Sequence, residues 1–388
     1  VVTMDGAPII NGAIAVSENK ITHVGEWESV RRRNSGEVID LGECALLPGL
    51  INAHCHLDYT CLRGKIARQK SFADWIHAIN SEKARLSADD YVRSIDEGFA
   101  EARRFGTTSM ANLTGFPELA SRANSLIRTW WFAELIDIRV PQDVDEVLGR
   151  MPSSSEGIGL APHAPYTASA NLYRSCEKLA ERDDLLLTTH LAESKEEMIM
   201  SLDRRGPLAE FLGSISHDLL EANGVTPVEH LSEFCRLDER WLLVHVNEIL
   251  DRDLERLGRA HIVLCPRSHE YFGHTPFAFA KFRERGLNIC LGTDSLASND
   301  DLSLFAEMRQ FRKTQPSLSG FELLEMVTLN PARALRREGA LGRLRVGHWA
   351  DVIAVPFSGD EKSLIDEIIA FEGAIPWMMI DGRPLKIA

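Results

Sequence analysis

Apolar residues in this 388-residue chain gather into short runs, and several of those runs close on a histidine or an aspartate. Leu185-Leu186-Leu187-Thr188-Thr189 is followed by His190, Trp241-Leu242-Leu243-Val244 by His245, and Ile289-Cys290-Leu291-Gly292-Thr293 by Asp294. Pro48-Gly49-Leu50-Ile51-Asn52-Ala53 leads into His54-Cys55-His56, where the two-residue period of a strand aims both imidazoles the same way. Read for β-branched and apolar content, the chain offers eight strand-like runs, at 46–54, 107–113, 130–136, 157–163, 185–190, 242–246, 261–265 and 288–294. Helical periodicity fills the intervals, most clearly over 88–105, 170–182, 195–211 and 276–285. Ser87 stands as an N-cap before the first of these helices, Asp89 and Asp90 suit its positive end, and Gly106 follows its close. Strand and helix in alternation, with polar groups at strand ends, predict an α/β chain: a (β/α)8 TIM barrel presenting a catalytic rim.

The barrel leaves both ends of the chain over. Residues 1–42 read as all-β, short strands broken by turns at Asp5-Gly6, Asn11-Gly12 and Glu18-Asn19. Residues 344–355 and 377–384 repeat the pattern of strand, turn and strand. Neither end is long enough to bury a core alone, so the two are expected to pack together as a small β-sandwich. The expected division is 1–46 plus 343–388 for the sandwich and 47–342 for the catalytic barrel.

Composition narrows the class. At 44% hydrophobic and 26% charged, with no apolar run near the roughly 20 residues of a membrane span, the chain reads as a globular enzyme with no membrane role. A formal net charge of −14 argues against nucleic acid as a partner, because phosphate binding needs a basic surface. Seven cysteines, an odd number with no Cys-x-x-Cys pair, suit a reducing compartment, and with no visible signal peptide the cytoplasm is expected. An apolar barrel face would also suit a homo-oligomer.

The ordered blocks Pro48-Gly49-Leu50-Ile51-Asn52-Ala53-His54-Cys55-His56, His163-Ala164-Pro165-Tyr166-Thr167, His190-Leu191-Ala192-Glu193-Ser194, His245, Cys265-Pro266-Arg267-Ser268 and Gly292-Thr293-Asp294-Ser295-Leu296-Ala297-Ser298-Asn299 resemble the amidohydrolase superfamily. The resemblance is to its cytosine-deaminase-related branch of mononuclear aminohydrolases, and it covers nearly the whole chain. It implies that His54, His56, His190 and Asp294 bind one divalent metal ion, with zinc expected and iron the alternative; nitrogen and oxygen ligands suit either. It also implies that Glu193 shuttles a proton, that His245 sits beside the attacking water, and that Asp294 accepts the water's proton and passes it to departing ammonia. Two-metal relatives use a modified lysine on the fourth strand. No lysine lies near 157–166, and that strand ends on His163, which fits the one-metal class and a substrate contact.

The reaction so implied is hydrolytic deamination at a ring amidine carbon of a small heterocycle. The blocks His56-Leu57-Asp58-Tyr59-Thr60 and Cys265-Pro266-Arg267-Ser268-His269-Glu270-Tyr271-Phe272-Gly273-His274 most resemble enzymes acting on adenine nucleosides with an extended, carboxylated tail, such as aminodeoxyfutalosine. Arg267 and Arg139 are candidates for a bidentate carboxylate clamp, or for ordinary ion pairs. Ser268 is a candidate hydrogen-bonding partner of the substrate, and Trp75 with Phe72 could wall an aromatic ring. The branch often carries asparagine where His269 stands, which bears on substrate more than on reaction. Cytosine, guanine, a triazine chloro- or amino-substituent and a cyclic amide stay open as alternatives. The other deaminase architecture, with His-x-Glu and Pro-Cys-x-x-Cys, is excluded because neither pattern occurs. His23, His77, His217, His230, His261 and His348 lack partners in the pattern and are expected to be surface or packing residues.

Overall fold

A computed structural model describes residues 1–123, 125–152, 156–215 and 224–385. Its strands, in chain order, are β1 (Gly12–Ser17), β2 (Lys20–Glu26), β3 (Cys44–Pro48), β4 (Leu50–Cys55), β5 (Thr107–Thr114), β6 (Arg128–Leu135), β7 (Gly157–Pro162), β8 (Leu186–Leu191), β9 (Trp241–His245), β10 (His261–Leu264), β11 (Ile289–Leu291), β12 (Val352–Pro356), β13 (Trp377–Ile380) and β14 (Arg383–Leu385). Strands β4 to β11 form one eight-stranded sheet in sequential order, and every registered pair in it is parallel. The sheet closes on itself where Thr293 N and Asp294 N both donate to His54 O, at 3.0 and 3.1 Å, and Cys55 bridges to Asp294.

Each barrel strand sends a residue into one buried apolar cluster: Ile51, Leu113, Phe132, Ala161, Leu186, Val244, Val263 and Cys290. A cluster fed by all eight strands can only be the barrel interior, so the barrel is a packed core with its chemistry at one end. Helices cover the outside. The Ala88–Arg104 helix begins with a reciprocal Ser87–Asp90 capping box and buries Tyr91, Ile95 and Phe99.

Five elements differ from the sequence reading. The run 46–54 is two strands: β3 pairs with β12 in the terminal sheet, and β4 joins the barrel after Gly49. A Cβ on Gly49 would fall 2.1 Å from Thr108 Oγ1, so only glycine lets the chain cross between the two sheets there. The expected all-β segment 1–42 holds a helix at Trp27–Arg33, whose single buried residue, Val30, leaves almost no periodic signal. The expected helix 195–211 divides into Lys195–Asp203 and Pro207–Gly213, because Gly206 takes φ 96° and Pro207 has no N–H to continue the ladder. Over 276–285 the helix begins only at Phe279, and over 344–355 the strand begins only at Val352.

The chain ends do meet. Sheet β14-β13-β12-β3 and hairpin β1-β2 enclose Ile21, Leu344, Ala350, Val352 and Met379. The hairpin β13–β14 turns on Asp381 and Gly382, both at positive φ. This unit packs under the barrel, at the starts of the strands: Gly49 N donates to Asp351 O at 2.9 Å and Ile375 N to Arg104 O at 3.0 Å. Arg128, opening β6, reaches three carboxylates there, Asp351 at 2.7 Å, Asp381 at 2.6 Å and Glu156 at 2.5 Å. The site therefore lies at the opposite end.

Candidate active site

Three strand ends bring the four candidate ligands together. His54 and His56 leave β4, His190 stands on β8, and one ring nitrogen of each lies within 4.8 Å of the others. The Nε2 atoms of His56 and His190 approach to 3.2 Å, and Asp294 Oδ1, just past β11, lies 3.7 Å from His54 Nε2 and 3.9 Å from His56 Nε2. All four side chains are buried.

The backbone is held in uncommon geometry to achieve this. Ala192, His245, Val246 and Asp294 all take positive φ, between 47° and 73°, which side-chain-bearing residues adopt only when their surroundings compel it. Here the compelling contacts are identifiable. Glu197 accepts from Ala192 N and Glu193 N at 3.0 and 2.7 Å, and Ala192 O accepts from Asn247 N and Glu248 N. Asn52 binds Thr293 through both ends of its amide, donating to Oγ1 at 2.8 Å and accepting from the backbone N at 3.2 Å, which pins β4 to the segment carrying Asp294. Gly292 completes the junction, since a Cβ there would fall 2.7 Å from His54 O.

Orientation of the rings follows from their second nitrogens. His190 Nδ1 lies 3.0 Å from His163 O and donates to it, which leaves Nε2 free as a ligand. Burial and the imidazoles of His54, His190 and His163 depress His56, and burial with His54 brings His190 down to about 4, so both rings are neutral. Burial would raise the Asp294 carboxyl, but the facing His54, His245 and His56 outweigh it and hold the group well below the usual carboxylate range. Its Oδ2 accepts from Ser268 Oγ at 2.7 Å and Ser298 Oγ at 3.3 Å, and Oδ1 from Ser295 N at 2.8 Å.

The residues fit a metal ion. Both ring nitrogens of His54 are buried without a hydrogen-bond partner, a costly condition that a bound cation relieves, and three imidazoles beside a carboxylate are a borderline-soft donor set. Next to them lies the candidate proton carrier. Glu193 Oε1 is 3.6 Å from His245 Nε2 and 4.0 Å from His274 Nε2. Burial first, and then the charges of Asp294 and Glu197, push the Glu193 carboxyl well above its ordinary range.

The remaining expected residues fall in different places. His163 sits just beyond β7, its Nδ1 2.7 Å from Thr167 Oγ1, its ring 4.9 Å from that of His190, and its carbonyl anchoring His190. Ser268 is buried against Asp294. Arg267 gives its guanidinium to Asp301 at 2.6 Å and Asp300 at 3.1 Å, the ion-pair alternative rather than a free clamp. Arg139 is exposed in the segment after β6. Trp75 stacks on Phe72 at 6.0 Å beside the site. Among the unassigned histidines, His77 is exposed and His261 and His348 are buried, while His217 lies outside the described residues.

Two groups at the site were not anticipated. Glu134, near the end of β6, has its carboxylate 4.0 Å from His56 Nδ1, and burial raises its pKa. Its signal was a lone carboxylate inside an apolar run, between Ala133 and Leu135. His274, the last residue of the block that opens at Cys265, is turned toward Glu193.

The chain matches the model described as Amidohydrolase family over residues 45–373. It is 31% identical over 387 residues to 5-methylthioadenosine/S-adenosylhomocysteine deaminase of Syntrophobacter fumaroxidans, covering 91% of this chain and 82% of that protein. It is 30% identical over 386 residues to 5'-deoxyadenosine deaminase of Methanosarcina barkeri, covering 92% and 82%. Among solved structures it superposes on an adenosine deaminase from Xanthomonas campestris with bound zinc at a TM-score of 0.84 and 23% identity, covering 99% of this chain and 90% of that one. Helicobacter pylori aminofutalosine deaminase aligns at a TM-score of 0.82 and 20% identity, covering 97% and 95%. A model match from the third strand of the terminal unit through the whole barrel, together with a relative above 30% identity along nine-tenths of the chain, places this protein: it belongs to the amidohydrolase family.

Proposed function

We propose that the protein is a metal-dependent hydrolytic deaminase of adenine nucleosides, releasing ammonia from the purine ring, with an extended tail on the substrate as in aminodeoxyfutalosine. The observation that carries this reading is the buried carboxyl of Glu193, raised in pKa and 3.6 Å from His245, beside four convergent ligand groups. The names of the two sequence relatives above, both deaminases of adenosine-type compounds, support the ring and the reaction.

His54, His56, His190 and Asp294 would hold one divalent ion, zinc before iron. When bound it supplies Lewis acidity, which draws the pKa of water down towards neutrality. Glu193, protonated because it is buried, delivers a proton to the ring nitrogen next to the carbon under attack. His245, kept neutral by burial, orients the attacking water through Nε2. Asp294 Oδ1 faces the same space and receives the water's proton, and Ser268 and Ser298 hold its other oxygen still. Water adds to carbon, Asp294 passes the proton it took to the exocyclic nitrogen, the carbon–nitrogen bond breaks with loss of ammonia, and the hydroxyl proton left on the carbon returns to Glu193. Seven free thiols suit a reducing cytoplasm.

The test is Glu193→Gln in metal-loaded protein. Metal content should stay that of the parent while turnover of adenosine, followed by the ultraviolet change on loss of the exocyclic amine, falls about 100-fold to 10,000-fold. Unchanged turnover would assign the proton to another group. Parent protein that leaves adenine nucleosides intact but hydrolyses cytosine, guanine or a triazine would replace the substrate.

A further inference from the structure

Strand β6 sends alternate residues to opposite sides. Trp131, Ala133 and Leu135 join the core outside the barrel, whereas Trp130 and Phe132 belong to the cluster that fills it. The two-residue period of the strand puts Glu134 on that inner side, one step nearer the ligands. Its side chain is 8% exposed, and among the described residues no group donates a hydrogen bond to it. A carboxylate so placed is costly unless a neighbour answers its charge.

The polar atom facing it is His56 Nδ1, at 4.0 Å. A histidine that binds metal through one ring nitrogen almost always donates its other N–H to a carboxylate, a carbonyl or water, which fixes the ring and makes it a stronger ligand. His190 does this through Nδ1 to His163 O at 3.0 Å. His56 turns Nε2 to His190 Nε2 at 3.2 Å and to Asp294 Oδ1 at 3.9 Å, and among the described residues Glu134 is the only carboxylate within 4.0 Å of its Nδ1. The ring is held in this plane: Tyr59 and His190 lie nearly parallel to it, at 21° and 14°, with centroids 5.8 and 5.3 Å away. Lys83 in turn stands over the Tyr59 ring at 4.6 Å. Asp58, two residues beyond His56, is committed elsewhere, accepting from Thr114 Oγ1 and Gly115 N at 3.0 Å each. At 4.0 Å the His56–Glu134 pair is short of a hydrogen bond, and a cation on Nε2 would make Nδ1–H a stronger donor, which favours closing that gap.

Resting on the metal-dependent reading above, we propose that Glu134 is a positioning residue for the ion, holding His56 by Nδ1 and raising the affinity of the ligand cluster for a divalent cation. Asp294 would meet the ion directly, whereas Glu134 acts through an imidazole. Two carboxylates then balance a divalent charge inside a buried site, where an unbalanced charge is expensive. Of the two histidines whose second nitrogen has a partner, His190 leans on a neutral carbonyl and His56 on a charged group, and the charged group is the stronger lever.

The test measures zinc binding by metal-free protein, in competition with a chromogenic chelator, for the parent, Glu134→Gln and Glu134→Ala. Glutamine keeps an acceptor for Nδ1 without the charge, and alanine keeps neither. The zinc dissociation constant should rise about 10-fold to 100-fold in Glu134→Ala and by less in Glu134→Gln. Without metal, Glu134→Gln should melt at or above the parental temperature, because a buried charge is gone, while the increment that zinc adds should shrink. A zinc affinity in Glu134→Ala within about twofold of the parent's overturns the proposal. So does a Glu134→Gln protein that melts lower without metal yet gains the full parental increment from zinc. Either result leaves the metal-dependent reading standing, whereas a parent protein that binds no divalent ion overturns that reading itself.

Discussion

Asp294 Oδ1 lies 3.7 Å from His54 Nε2, and the same two residues are joined through the backbone, Asp294 N donating to His54 O at 3.1 Å. The last strand of the barrel thus meets the first at the point where the ligand groups converge, so closing the barrel and assembling the site are one event. Asp294→Asn removes the only carboxylate among the proposed ligands while keeping its volume. Metal content per chain should drop and turnover should fall at least about 100-fold. Full metal occupancy by elemental analysis, with turnover retained, would contradict the assignment.

Gly292 tests the same junction from the backbone side. In Gly292→Ala the new methyl would sit 2.7 Å from His54 O and 2.9 Å from His54 N, against main chain that has no flexible end to move. We expect a loss of about 1–3 kcal/mol in denaturant unfolding and weaker metal retention. A variant with parental stability and metal content would show that the junction yields without cost.

Titration of buried carboxyls gives the metal-free protein a pH-dependent stability. Burial lifts Glu307 to about 8, Glu197 to about 7 and Asp58 to about 7. A carboxyl raised in the folded state contributes stability below its unfolded pKa, and that contribution is lost as pH rises through the folded value. Burial also lowers His190 to about 4, His261 to about 4 and His274 to about 3, which costs stability as pH falls below about 6.5. Only about one pH unit above that value are these histidines neutral in both states, so that the carboxyls alone act. The melting temperature should therefore fall from about pH 7.5 to about pH 8.5, and in Glu307→Gln the fall should be shallower. A melting temperature that is flat or rising over this range would contradict it.

Arg128→Met removes the cation that three carboxylates share beneath the barrel and leaves Asp351, 4% exposed, buried without its partner. The expected loss is about 3–5 kcal/mol in chemical denaturation. Protein that remains folded should keep its catalytic rate, because this pin lies at the opposite end of the strands from the ligands. A stability change below about 1 kcal/mol would show the ion cluster to be dispensable.

Much of the architecture was legible along the chain because its signals are local. A strand's two-residue period, a helix's 3.6-residue period and their repetition are written within windows of about 20 residues, so the eight barrel strands and the polar groups at their ends could be read. The hairpin at 377–384 was legible for the same reason, since Asp381-Gly382 is a turn wherever it occurs. The helix Trp27–Arg33 was not, because seven residues with one buried side chain carry no period. The division of 46–54 at Gly49 was also hidden, because it depends on Thr108, a residue of another strand.

The order of ligand types, His54, His56, His190 and Asp294, could be read from one dimension, since each stands where an apolar run stops. What they share could not. That Glu134 and His274 flank the cluster, that Asn52 and Gly292 lock its two strands, and that Arg267 is spent on aspartates are relations between residues tens to hundreds of positions apart. Local periodicity dictates which face of a strand or helix is buried, but strand twist, barrel closure and loop packing choose which side chains meet across the mouth, and those choices belong to the folded chain as a whole.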